Sequence, residues 1–324
     1  MIVDCAVYEH GRRRKGQLTV EAAVRASQND DAFVWIGLHE PTEEEFEHVT
    51  TAFGLHELAV EDAIQAHQRP KLEDYDNCLF LVLKPARYAD RAQMIEFGEI
   101  LIFVGDNFVV TVRHGKAGDL AAVRRLAESR PDLLALGPSA VVYHILDQIV
   151  DDYRSVIDDF EQDMQEVEGQ VLLEAKKGSA QRIYRLKREV FEFHMATAPL
   201  LEPLEWLQRR KVRHVSEEMS EYLRDVHDHL QLVVRDVHRL RELLSNAMDL
   251  YLSHTSAQLN GTMKQLTIIA SLFLPLTFLT GFFGMNFAFL VKNISTPREF
   301  EIGVGVMVAT TIVQLVIFKR RRLI

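Results

Sequence analysis

The chain has 324 residues, 48% of them hydrophobic, and carries 37 basic against 47 acidic side chains for a net charge of -10. That length allows two or three domains with a sizeable core, and the composition excludes disordered, collagen-like and disulfide-scaffold classes, the last because the only cysteines are the widely separated Cys5 and Cys78. The acidic balance speaks against nucleic acid as a partner.

In chain order, IVDCAVY from position 2, FVWIGL from 33, CLFLVLK from 78, EILIFVG from 99 and NFVVTVRH from 107 read as strands. PTEEEFEHVTTAF and ELAVEDAIQ read as helices with acidic first turns. Residues 1–140 are therefore expected to form an α/β domain. It holds no GxGxxG, GKS or GxSxG motif, so the usual nucleotide and nucleophile signatures are missing.

From about Ala140 the strand character ends and a helical region, 141–260, begins. Asp151, Asp152, Asp158, Asp159, Glu161, Asp163, Glu166 and Glu168 stand against the single cation Arg154, and Arg182, Arg185, Lys187 and Arg188 follow. Two helices of opposite sign lying side by side would match this pattern. From about Glu217 a further helical pattern sets Leu223, Val226, Leu230, Val233, Val237, Leu240 and Leu244 at spacings of three and four, a heptad seam. No glycine or proline interrupts it before Gly261. A helix from Glu217 to Phe283 would be on the order of 100 Å long, and such a rod must bury its seam against its own chain or other copies.

A third region, 261–324, is a membrane domain. LTIIASLFLPLTFLTGFF (about 266–283) and IGVGVMVATTIVQLVIF (about 302–318) carry no charge, each near the lower limit for crossing roughly 30 Å of hydrocarbon. A polar loop of about 284–301 joins them. The cluster Lys319, Arg320, Arg321 and Arg322 after the second span predicts cytoplasmic N- and C-termini in a multi-pass cell (inner or plasma) membrane protein. The start, MIVDCAVYEHGRRRKG, breaks into charge before a signal-peptide core develops. Residues 261–324 hold seven cations and two anions, so a +5 tail is joined to a head of charge -15.

At the junction, three-four spacing aligns Asn260, Met263, Thr267, Ala270, Leu274, Thr277 and Gly281, while Leu266, Ile268, Ile269, Leu272, Phe273, Leu276, Phe278 and Phe282 occupy the other faces. A face of small and weakly polar residues serves either close helix packing or a pore lining, and the line from Asp249 through Asn260 into the span favours water there. The second span has small residues but no ionisable group before Lys319 and reads as the outer, lipid-facing helix. Two spans per chain make a central pathway only in a cyclic homo-oligomer.

Gly284, Met285 and Asn286 close the first span inside FFGMNF, and LNGTMKQLTIIASLFLPLTFLTGFFGMNF resembles the first-span signature of the CorA family of magnesium channels and transporters almost end to end. WIGLHEPTEEEFE, GLHELAVEDA, HQRPKLEDY and YLRDVHDH follow the family pattern, so the resemblance covers essentially the whole chain. It implies an α+β fold with a cytoplasmic α/β domain, a long stalk helix and two transmembrane helices, assembled as a homopentameric funnel in the lipid bilayer. The first spans would line the pore, with Gly284, Met285 and Asn286 at its outer mouth. Mg²⁺ sheds its waters reluctantly, so a ring of Asn286 carboxamides with Gly284 carbonyls would bind the hydrated ion weakly enough to release it, with Gly284 permitting the inward-turned backbone. Asp249 matches an acidic position near the inner end. Asn260 and Thr277 would be polar stations, and Met263, Leu266 and Leu274 apolar constrictions.

Regulation is implied as well: carboxylates between neighbouring heads bind Mg²⁺ and hold the pore shut. Asp225 matches one such position. Its partner should directly follow the tyrosine of LVLKPARY, but Tyr88 is followed by Ala89, leaving Asp90 as the substitute. The outer loop departs too, with Ala288, Lys292 and Arg298 where the family is more acidic. The expected function is Mg²⁺ influx down the electrochemical gradient, which supplies about 4.6 kcal/mol per divalent ion at 100 mV, with divalent cations as ligands and no organic cofactor. Transport of Co²⁺, Ni²⁺ or Zn²⁺, or a non-conducting membrane-anchored metal sensor, are the alternatives. His194, His227 and His229 show no metal-ligand or nucleophile spacing, so no enzyme is expected.

Overall fold

The computed structural model describes residues 1–16, 18–28, 31–66, 68–89, 94–173, 178–209, 212–285 and 297–321. The five apolar runs read from the sequence become β1 (Ile2–Glu9), β3 (Ala32–His39), β5 (Cys78–Leu83), β7 (Met94–Val104) and β8 (Phe108–Gly115), and three short polar strands join them: β2 (Arg12–Arg13), β4 (Lys71–Tyr75) and β6 (Ala86–Ala89). They form an eight-stranded sheet in the order β2-β1-β3-β8-β7-β5-β4, with β6 pairing to β7. β3 and β8 are parallel and the other pairs antiparallel. Helices cover both faces of the sheet's middle, so β5 is buried at every residue and its sequence runs apolar without alternation.

One face packs against α1 (Val20–Ser27), α2 (Glu43–Phe53) and α3 (Glu57–Gln65), with Val34, Ile36, Phe46, Val49, Ala59, Phe80 and Phe103 in a common core. α2 starts where Thr42 and Glu45 cap each other, Glu45 N donating to Thr42 Oγ1 at 3.3 Å and Thr42 N to Glu45 Oε2 at 3.1 Å. It stops at Gly54, whose φ of 62° a side chain would resist. The opposite face carries α4 (Leu120–Glu128), α5 (Pro131–Leu134) and α6 (Pro138–Leu173). On this side the Arg124 guanidinium lies 4.0 Å from the Trp35 ring centroid and pairs with Asp4, so the buried cation has both an aromatic face and a counter-charge.

Helices α7 (Ser179–Thr197), α8 (Leu201–Leu207), α9 (Met219–Phe283) and α10 (Pro297–Arg320) complete the chain. The acidic α6 and basic α7 do lie side by side: Arg182 bonds Asp163 at 3.1 Å and Glu166 at 2.6 Å. The seam of α9 is buried from Leu223 through Leu244 to Ala247. Its covering comes from the same chain, with Tyr143 of α6 against Tyr222, His194 of α7 against His238, and Glu161 of α6 paired to Arg239. The chain divides into two units, Met1–Met248 and Asp249–Ile324.

Candidate ion pathway and metal-sensing residues

In the second unit, α9 and α10 each contain an 18-residue window of mean hydropathy 2.0, and none of either window is buried within the chain. Side chains this apolar and this exposed need lipid or other protein around them. Half-burial picks out two matching stripes. On α9 it marks Ile268, Leu272, Pro275, Leu276 and Leu279; on α10 it marks Gly303, Met307, Thr310, Thr311, Gln314 and Phe318. Leu276 shares a surface groove with Met307 and Thr311, and Gln314 Nε2 donates to the Ser271 carbonyl at 3.0 Å, so these stripes face each other.

At about 100° per residue, the line Asn260, Met263, Thr267, Ala270, Leu274, Thr277 and Gly281 lies roughly 160° from the α10-facing stripe. All seven residues are exposed, Met263 at 62% and Leu274 at 73%. Leu266, 61% exposed, flanks the line, and exposed Asp249 falls on its continuation. Thr277 Oγ1 donates to the Phe273 carbonyl at 2.9 Å and Thr267 Oγ1 to Met263 O at 2.8 Å. With their hydrogens spent inside the helix, both hydroxyls turn lone pairs outward, which suits a cation or its hydration water.

At the end of α9, Gly284 N bonds Thr280 O at 2.9 Å and Met285 N bonds Phe282 O at 3.3 Å, a helical finish. Gly284 is not among the glycines with positive φ, and a Cβ there would stand 3.0 Å from Thr280 O, a tight contact that the carbonyl would have to relieve by a few tenths of an ångström. Asn286, Ala288 and Lys292 lie outside the described residues. At the other terminus Lys319 and Arg320 end α10, Arg321 N still bonds Ile317 O at 2.9 Å, and Arg322 lies outside the described residues.

In the head, Asp225 is exposed on α9, with His229 Nδ1 3.9 Å from its carboxylate one turn on. Across from it on α6, the Asp147 carboxyl is pushed above the usual carboxylate range by burial, then by the nearby charges of Asp151 and Asp225. Among the described residues no three His, Cys, Asp or Glu side chains of one chain are placed to hold a metal. Asp90 lies outside the described residues. The adjoining strand places Tyr88 so that its hydroxyl donates to Asp163, the carboxylate that Arg182 also holds. No pattern in the sequence joins Tyr88, Asp163 and Arg182, and Gln314 carries no signal there beyond being an amide in an uncharged span.

An α/β head, a helix continuing from it into an apolar stretch, and a second apolar helix packed on that stretch match what is expected of a membrane-embedded protein. A family model described as CorA-like Mg2+ transporter protein matches residues 30–320, and the chain belongs to this family. It is 32% identical over 272 residues to the cobalt/magnesium transport protein CorA of Thermotoga maritima, covering 83% of this chain and 77% of that one. It is 24% identical over 312 residues to the zinc transport protein ZntB of Yersinia pseudotuberculosis, covering 90% and 88%. The solved structure of the CorA magnesium transporter from Methanocaldococcus jannaschii superposes with a TM-score of 0.80 at 19% identity over 99% of this chain and 98% of that one. The protein is thus a CorA-family divalent metal ion transporter of the membrane, and not an enzyme.

Proposed function

We propose that the chain carries Mg²⁺ into the cell down its electrochemical gradient, as a homopentamer in the cell membrane with both termini cytoplasmic. The observation that carries this reading is the division of α9: α10 backs one face, and the opposite face is a line of small and weakly polar residues running on from Asp249. Copies arranged about an axis with that face inward bring Asn260 and Thr277 to the path as polar stations and Met263, Leu266 and Leu274 as apolar rings able to gate by dewetting. The hydrated ion is selected at Gly284, Met285 and Asn286, where neutral oxygens bind first-shell water without stripping it. Lys319, Arg320, Arg321 and Arg322 anchor the cytoplasmic side.

Closure follows from metal bound between heads through Asp225 of one copy and Asp90 of the next. In support, Asp225 is exposed, and Asp147, raised first by its own burial, also feels the negative charges of Asp151 and Asp225, a concentration of carboxylates that a divalent ion would relieve. The test is Mg²⁺, Co²⁺ and Zn²⁺ flux into proteoliposomes. Asn286→Ala is expected to lose Mg²⁺ flux and selectivity, and unchanged flux refutes the mouth assignment. Asp225→Ala is expected to conduct at internal Mg²⁺ that closes the wild type; identical closure places sensing elsewhere. The likeness to ZntB supports a second reading, zinc as cargo, which wins if Zn²⁺ flux exceeds Mg²⁺ flux in that assay.

A further inference from the structure

Pro275 lies inside α9; proline has no amide hydrogen, so it leaves the carbonyl of Ser271, four residues earlier, without its ladder partner, and a pyrrolidine ring at this position crowds that carbonyl. A peptide carbonyl unpaired in hydrocarbon is strongly unfavourable. The missing donor comes from the other span: Gln314 Nε2 reaches Ser271 O at 3.0 Å. Gln314 is the only carboxamide or charged side chain between Glu301 and Lys319. Its neighbours Thr310 and Thr311 spend their hydroxyls on their own helix, at Val306 O and Met307 O. An amide is costly in a lipid-facing span unless it meets a partner, and among the described residues Gln314 Oε1 has none, so the donor side is what the position uses.

We infer that Gln314 is a positioning residue for transport: it replaces the hydrogen bond that Pro275 removes and so fixes the direction of Leu276–Phe283, the stretch that leads to Gly284 and Met285. Leu274 and Thr277, on the exposed face of α9, straddle the proline, so a swing at this turn would change the spacing between an apolar ring and a polar station. The inference rests on reading α9 as the pore-lining span. It adds that α10 is a brace rather than a passive lipid-facing helix.

The test compares full-length wild type, Gln314→Leu, Pro275→Ala and the double variant, by Mg²⁺ flux in proteoliposomes and by thermal midpoint in detergent. Gln314→Leu is expected to lower both, flux by about tenfold, equivalent to about 1.4 kcal/mol. In the double variant the backbone amide that Pro275→Ala restores supplies Ser271 O itself, so adding Gln314→Leu to Pro275→Ala should change little. Additive effects in both measurements overturn the inference. Coupling in the melting temperature with no coupling in flux also overturns it, because the bond would then be structural only. Failure of the underlying pore reading shows separately, as unchanged flux in Asn286→Ala. Gln314→Met replaces Gln314→Leu should the latter not be recovered folded.

Discussion

His144 offers a quantitative check on the head. It lies on α6 with 1% of its surface exposed, and among the described residues neither ring nitrogen has a hydrogen-bond partner. Burial, with the Arg130 charge as a smaller contributor, pushes its pKa down to about 4. In the unfolded chain the ring titrates near 6.5. Between these values the unfolded state binds the extra proton, so stability is complete above pH 6.5 and is lost as pH falls toward 4. A shift of about 2.5 units at about 1.4 kcal/mol per unit makes the loss about 3 kcal/mol. Asp147, Asp152 and Glu189 have pKa values raised by burial and act in the opposite sense, so the wild-type curve alone is ambiguous. The difference between wild type and His144→Leu removes them. The chain's two tryptophans, Trp35 and Trp206, both lie within Met1–Met248, so their fluorescence in a urea titration of the full-length protein in detergent reports on the head. Relative to wild type, His144→Leu should gain about 3 kcal/mol on going from pH 7 to pH 4. A pH-independent difference would refute a buried neutral imidazole.

Three further outcomes are expected. Leu230→Ala empties a fully buried seam position and should cost the head about 3 kcal/mol, whereas Leu259→Ala, at a residue that lies outside Met1–Met248, should leave the same tryptophan-monitored transition within about 0.5 kcal/mol. Arg182→Gln strips the counter-charge from Asp163 and Glu166, whose pairing ties α6 to α7, and should cost about 2 kcal/mol in that assay; no change would mean the pair is fully screened. Thr277→Val keeps the shape but removes the outward lone pairs, so Mg²⁺ flux should drop several-fold while the melting temperature holds; equal flux would remove Thr277 from the path.

The strands legible in the sequence were those buried on both faces, where apolar runs such as CLFLVL leave little choice. The short polar strands were not: β4, KLEDY, sits at the sheet edge and owes its place to pairing with β5, a tertiary fact. Nor did any local signal announce that β3 and β8 would pair in parallel across about seventy residues of chain, since register depends on what each strand meets in space. In the membrane unit, spacing alone separated the two faces of α9, because a helix repeats its angle whatever surrounds it. The role of Gln314 was hidden because the defect it mends lies on another helix. For Gly284, spacing could not show that a Cβ would crowd the Thr280 carbonyl at 3.0 Å, because that contact is set by how the helix ends.

The seam of α9 changes its covering partway along. Up to Ala247 the chain buries it by itself; beyond, its spacing continues through Tyr251, His254 and Gln258, none of them buried, while on another face Leu252 and Leu259 stand 57% and 61% exposed before the uncharged run from Leu266 begins. Those two leucines precede the hydrocarbon-length stretch, so lipid is not their natural cover, and in the homopentamer proposed above neighbouring copies would be. In that assembly a newly made chain would finish its head alone but not its stalk. Its last folding step would then be second-order in protein, so that the yield of mature transporter would depend on synthesis rate and unassembled copies would carry exposed leucines as a mark for proteolytic removal.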